Sequence, residues 1–449
     1  MTRTNTRRTV AMVATGVAVG VALFATAAFG PTRSGSQPSA AVLADGGVAA
    51  AGEPRLPVGA SLDDMIASLQ QRLEAVPTDQ VSWATLGLAY VQQAKVTVDP
   101  TYYPKADGAL ARSLEIDDAD NFLAYAGLSA LASARHDFRA AETYARQGLD
   151  INDFSPILWG ALSDAQLQLG QYDDAFDSVQ RMVDLRPDAT SLSRASYTWE
   201  LRGDIDRARS LMQRALDDAP TAADRAFALV HLAGIDFDQG DPSAALDGYN
   251  QALAASPDDV AALAGKARAE AALGQVDTAI DHYDQVVARA PEPGYVVEYA
   301  RLLESVGRTD DAATQYAVFD ATQALFAANG VEPDATATLA DAERGDVDAA
   351  LADAQRGIDS RPFLDMYDAQ AWALHHAGRD DEALAAIDRA LVLGTRNALF
   401  HYHAGMIAMA LGDTDRALTE LRTALDINPT FDPLSAPIAD DALRHLEAP

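Results

Sequence analysis

The sequence contains no cysteine. That excludes disulfide staples, thiol nucleophiles, cysteine-ligated zinc and a lipid anchor on an N-terminal cysteine. Lysine is almost missing too: it supplies 3 of 34 basic residues, against 66 acidic residues of which 52 are Asp, and the formal charge is -32. A surface so short of positive charge repels phosphate backbones, so nucleic acid is not an expected partner. The acidity reads first as a device for solubility. Catalytic signatures are missing as well: there is no Gly-x-Ser-x-Gly elbow, phosphate-cradling glycine loop, His-Glu-x-x-His helix or Asp-x-Asp-x-Asp-Gly calcium loop. The sequence therefore offers no catalytic residue, no cofactor-binding residue and no committed metal ligand, and an enzyme is not expected.

What is present begins with a 21-residue uncharged run from Thr9 to Phe29 behind Arg3, Arg7 and Arg8. At 1.5 Å per residue such a helix spans roughly 30 Å, the thickness of a bilayer core. Residues 1–30 are expected to be a signal anchor, arginines in the cytoplasm, or a signal peptide cleaved at a small-residue site such as Ala25-Thr-Ala27. The protein would then sit in the cell membrane as a single-pass chain with its C-terminal array outside the cytoplasm, or be secreted. Residues 31–60, rich in Gly, Ala, Ser and Pro, read as a flexible linker. Ser61-Leu-Asp-Asp64 is an N-cap signature that opens a capping helix over 61–77, with Leu62, Ile66, Leu69 and Leu73 on one face.

Beyond residue 80 the chain repeats itself. Glycine before a polar residue recurs at Gly170, Gly203, Gly240, Gly274, Gly307, Gly345, Gly378 and Gly412, at separations of 33, 37, 34, 33, 38, 33 and 34. Five residues after each stands an alanine, from Ala175 to Ala417, and the same lattice run backwards lands on Ala141 and Ala106. Proline closes many units, as at Pro187, Pro220 and Pro257. Apolar residues at helical spacing flank each glycine, as in Trp159, Leu162, Ala165, Leu169 and then Ala175, Val179, Met182. Each unit is two antiparallel helices: glycine reverses the chain, alanine lets the helices cross closely, and proline stops the second helix.

Trp83-Ala-Thr-Leu86-Gly87-Leu-Ala-Tyr90 matches the first half of the tetratricopeptide pattern, and Trp159, Leu162, Ala175 and Pro187 match it in the third unit. Through these residues the chain resembles the tetratricopeptide repeat family. It is also similar to a set of exported bacterial members of that family through WATLGLAYVQQAKVTVDPTYYPKA (83–106), ARHDF (134–138) and LGTRNALFHYHAGMIAMALGD (393–413), a likeness that implies export rather than an activity. The resemblance implies an all-α solenoid, a right-handed superhelix of about ten units over 80–430, with 431–449 as a C-terminal cap. Two departures stand out. An insertion around 96–104 replaces the first turn glycine, and a long seventh second helix followed by a short eighth first helix predicts a bend or loosening near Asn329-Gly330.

First helices line the concave groove of such a superhelix. The residues expected there, and expected to touch a protein or peptide partner, include Tyr197, Arg268, Arg301, Asp365, Asp368, Trp372, His375, Tyr402, Met406 and Met409, with Asp164, Gln168, Glu200 and Glu304 beside them. The membrane is expected to be met through the N-terminal helix only. Asp173-Asp174, Asp310-Asp311 and Asp380-Asp381 fall just after turn glycines, where they are expected to cap the second helices and favour their dipoles. The competing function is a metal-handling accessory protein for nickel, copper or zinc at the cell surface, built on His375, His376, His401 and His403 with Met406 and Met409. Aligning units on their glycines offsets the two histidine pairs by about eight residues, or roughly 12 Å, which disfavours a shared ion.

Overall fold

The computed structural model describes residues 61–448. The run 9–29, the linker 31–60 and the questions of anchoring and cleavage lie outside the described residues. Among the described residues no helix is long and apolar enough to cross a membrane.

Among the described residues every regular element is helical. α1 (Leu62–Ala75) precedes ten helix pairs: α2 (Gln80–Thr97) with α3 (Tyr103–Ile116), α4 (Phe122–Ala134) with α5 (Phe138–Ile151), α6 (Pro156–Gln168) with α7 (Tyr172–Leu185), α8 (Ala189–Leu201) with α9 (Ile205–Asp217), and α10 (Ala222–Asp238) with α11 (Pro242–Ala255). The second five are α12 (Val260–Ala272) with α13 (Val276–Arg289), α14 (Pro293–Ser305) with α15 (Thr309–Ala328), α16 (Ala335–Glu343) with α17 (Val347–Ser360), α18 (Leu364–His376) with α19 (Asp380–Ala390), and α20 (Ala398–Ala410) with α21 (Thr414–Ile427). α22 (Ser435–Glu447) packs on α21 and closes the array.

The lattice of small residues has the predicted physical basis. The ten alanines from Ala106 to Ala417 are 0–1% exposed, each at the crossing of its pair. All eight turn glycines hold positive φ, between 69° and 87°. In unit two the same slot is taken by His136 at φ 62°, and in unit one by Val98 at φ 52°, after which a 3-10 turn over Pro100–Tyr102 absorbs the insertion. Ser61 and Asp64 form the capping box that starts α1.

Helix capping differs from expectation at three places. Asp137, Asp204, Asp241, Asp346 and Asp413 do cap second helices through their side chains. The carboxylate pairs Asp173-Asp174, Asp310-Asp311 and Asp380-Asp381 instead lie inside the first turn, behind Gln171, Arg308 and Arg379, which make no side-chain cap bond. At the helix starts they act through the dipole and not as caps.

The superhelix is wound so tightly that its second turn rests on its first. Asn428 Nδ2 donates to the Phe237 carbonyl at 2.8 Å, and His136 Nδ1 meets the Glu332 carbonyl at 2.7 Å, pairs 191 and 196 residues apart. One turn thus takes roughly five and a half units of ~34 residues. A Cβ placed on Gly170, Gly203 or Gly240 would lie 2.8, 2.4 or 2.8 Å from the carbonyl oxygen of Pro362, Gly394 or Ile427, whereas Gly274, Gly307, Gly345, Gly378 and Gly412 face open space. The seam also has an apolar centre, where Leu167, Ala175 and Leu201 join Phe363, Leu364 and Phe400 in one cluster.

The segment after α15 is not simply slack. Val331 packs on the core of unit one and Glu332 N–H donates to the Arg135 carbonyl at 3.3 Å, so these residues carry the chain onto the second turn. A real weakness remains beside it. At every other boundary the second helix of one unit packs along the first helix of the next, but α15 and α16 barely meet. Phe319 against Ala337 and Ala340, together with Arg344 bidentate to Asp320 at 2.7 and 2.9 Å, makes the join instead.

Candidate functional site

The inner face carries the residues expected to line a groove, and packing leaves few of them open. Of the ten, Asp365, Asp368, Trp372 and Tyr402 are buried, while Tyr197, Arg268, Arg301, His375, Met406 and Met409 are half-buried; none is exposed. Asp164 and Gln168 are buried, and Glu200 and Glu304 half-buried. The expectation of an open surface is corrected on this point. Spacing along a helix places a residue on the inner face, but neighbouring first helices and the segment with Phe431 and Asp432 cover that face, which the repeat pattern does not encode.

Several charges on this face are paired, which offsets the cost of their desolvation. Arg194 grips Asp164 through Nε and Nη2 at 3.0 and 2.8 Å, both side chains 7% exposed. Arg301 is a hub. Its Nε and Nη2 bond both oxygens of Asp432 at 2.7 Å, Nη2 also donates to Ser435 Oγ at 3.0 Å, and Nη1 pairs with Glu343. One side chain of unit seven therefore ties unit eight and the segment leading into α22. Burial alone would raise the Asp432 carboxyl, but the Arg301 charge and its hydrogen bonds hold it below the ordinary range.

Units nine and ten form an aromatic and acidic cluster. Trp372 stacks on His403 with centroids 4.0 Å apart, and His375, His376 and Tyr402 surround it at 5.0, 5.0 and 5.5 Å. Of the four histidines in units nine and ten, three hold a carboxylate: His403 to Asp368 at 2.8 Å, His375 to Asp380 at 2.6 Å, and, outside the cluster, His401 to Glu420 at 2.7 Å. Tyr402 packs on Phe431, and burial pushes its hydroxyl up to about 12. Trp372 brings His375, His376 and His403 closer than the glycine alignment implies, since it stands only three residues out of step with His403. Even so, among the described residues no three His, Asp or Glu side chains are arranged to hold a metal ion. Met406 and Met409 lie along the partly open side of the same cluster.

Where the turns meet, Arg361 lies over the Phe138 ring at 5.8 Å and Phe363 sits 6.2 Å from Tyr172. Burial drives Asp365 well above the ordinary carboxylate range, and the neighbouring Asp368 charge adds to it; burial also lowers Arg361. Among the described residues, Asp365 Oδ2, Arg361 Nε and Gln168 Oε1 are buried with no hydrogen-bond partner, as are Asp368 Oδ2, Trp372 Nε1 and His403 Nε2. Sequence reasoning passed over Asp432, Glu343 and Arg361, which lie outside the faces that helical spacing makes readable. His136 did have a signal: it occupies a glycine slot five residues before a lattice alanine.

Comparison with known proteins agrees with the architecture. The model of a tetratricopeptide repeat family matches residues 126–190, 232–293, 337–398 and 381–433. No curated protein matches the chain. Among solved structures, a tetratricopeptide repeat protein from Parabacteroides merdae is 18% identical with a TM-score of 0.35, covering 58% of this chain and 99% of its own. The hetero-tetramer Cut9-Hcn1 of the APC/C gives 16% and 0.43, covering 86% and 84%. PilF of Pseudomonas aeruginosa gives 15% and 0.36, covering 48% and 94%. These likenesses concern the repeat and not what it binds. With ten helix pairs, ten closed alanine crossings and four stretches matched by the family model, the chain belongs to the tetratricopeptide repeat family.

Proposed function

We propose that this chain is a non-enzymatic scaffold that binds a protein or peptide partner, held outside the cytoplasm by the segment 1–30 or released there after its cleavage. The observation that carries the reading is the half-open edge of units nine and ten. There His375, Met406 and Met409 keep partial exposure around the rigid pair Trp372 and Tyr402. Flexible methionines beside fixed aromatic rings suit an adaptable protein contact. Trp372 and Tyr402 support this surface from below rather than offering themselves to it.

The test is site-specific photocrosslinking in intact membranes, with the reactive residue placed at Met409 or, as control, at the exposed second-helix position Asp247. Capture of a discrete partner from Met409 and not from Asp247 supports the reading; equal capture from both, or none from Met409, overturns it.

For the metal-handling alternative, no three His, Asp or Glu side chains among the described residues converge to hold an ion.

A further inference from the structure

We propose that the seam between the two superhelical turns is a clasp: units eight to ten swing about residues 329–334 away from units two to five, exposing the side chains that the seam covers. Three observations carry this beyond the scaffold reading, which it does not require. The first is mechanical. The boundary between units seven and eight is the one place where consecutive helices across a unit boundary barely meet, so bending concentrates there. The second is the nature of the ties. Outside its apolar centre the seam is held by isolated polar contacts at turns: Arg139 Nη2 to the Asp359 carbonyl at 3.2 Å, Arg396 Nε to Gln239 Oε1 at 3.0 Å, and Asn428 to Phe237, while Arg301 of unit seven holds Asp432 across the hinge. Contacts of this kind break one by one, without unfolding either half.

The third is energetic. Asp365 is buried where Tyr172 of the first turn meets it, and the closed state bears the desolvation cost of its carboxyl. Opening readmits water to that group. The groups facing Asp365 are Asp368 on its own helix, Arg361 and Asp334 on neighbouring segments, and Tyr172 from the first turn. The cluster carries more negative than positive groups, so closure favours a neutral Asp365. Against this, Leu167 and Leu201 lose contact with Phe363 and Phe400 when the seam parts. The two sets of terms oppose each other, which is the condition for a clasp that both closes and opens.

The absence of cysteine makes the test direct. Asp206→Cys and Val392→Cys place spin labels at exposed positions on either side of the Gly203–Gly394 contact in the full-length chain. Electron–electron distance measurement is expected to show a short major population and a longer minor one. Asp432→Asn, which removes the charge held by Arg301, is expected to enlarge the long population several-fold. Asp365→Asn, which removes the buried acid, is expected to shrink it. Helicity by circular dichroism verifies that each variant is folded, and Arg139→Ala with Arg396→Ala, both exposed, replaces Asp432→Asn should that variant not fold. A single short distance in every variant overturns the clasp, as does a long population that rises with Asp365→Asn.

Discussion

Two glycine substitutions separate the seam from the repeat. Gly203 and Gly307 have nearly the same backbone, φ 70° and 76°, at the same slot of their units. Replacing either by Ala forces a side chain into the left-handed region, at a cost of about 1–2 kcal/mol. They differ in surroundings. The new Cβ at Gly307 meets nothing within 4 Å, whereas at Gly203 it falls 2.4 Å from the Gly394 carbonyl oxygen, a backbone atom that cannot rotate away. Overpacking of this kind adds about 1–3 kcal/mol. Gly203→Ala is therefore expected to destabilise by roughly 2–5 kcal/mol and Gly307→Ala by only about 1–2. Urea melts supply the comparison, and hydrogen exchange at 391–396 locates the damage: Gly203→Ala should raise exchange there, 190 residues downstream in sequence, and Gly307→Ala should not. Equal losses within about 0.5 kcal/mol and unchanged exchange at 391–396 would refute a closed seam in solution.

Opposite pH dependences follow from the two inner-face carboxylates. Asp432 has a folded pKa held below its unfolded value, so its contribution is present above about pH 4 and lost as pH falls through the folded value; the melting difference between wild type and Asp432→Asn should shrink in that window. Asp365 has a raised folded pKa, so wild type loses stability as pH climbs above about 4, and Asp365→Asn should gain relative to it from there upward in the same melts. Arg194→Met leaves Asp164 buried without its bidentate partner and is expected to cost about 3–5 kcal/mol by urea titration; a loss under 1 kcal/mol would mean that the pair is hydrated. Ala245→Leu, at a fully enclosed crossing in unit five, should cost about 1–3 kcal/mol, and a neutral result would show that the pair there can spread without penalty.

The helix pairs were legible because each rests on a local rule. A turn that needs positive φ wants glycine, a close crossing wants alanine, and both recur at a spacing that the eye can count. The same lattice puts His136 in a glycine slot, a substitution the sequence reading did not draw out, and the structure holds it there at φ 62°. Local rules also explain the misreading of Asp310-Asp311 and Asp380-Asp381. N-cap and first-turn positions differ by one or two residues, and in those units arginine takes the slot that Asp137 and Asp204 fill elsewhere.

Closure of the superhelix was not legible, because it depends on a small rotation per unit summed over more than five units. An error of a few degrees at each step decides whether Glu332 meets His136 or passes it by. Charge does not mark the covered turns either. The turn of unit two carries Arg135, His136 and Arg139 against Glu332 and the Asp359 carbonyl, whereas the turn of unit four meets Gly394 and Arg396, and the covered turns of units three and five carry Asp173, Asp174 and Asp241. The uncovered turns of units seven to ten mix Asp310, Asp346, Asp380 and Asp413 with Arg308, Arg344, Arg379 and Arg416. Closure at these turns rests on the missing Cβ of Gly170, Gly203 and Gly240, a feature every turn glycine shares for the sake of its φ, so nothing local marks which three become covered.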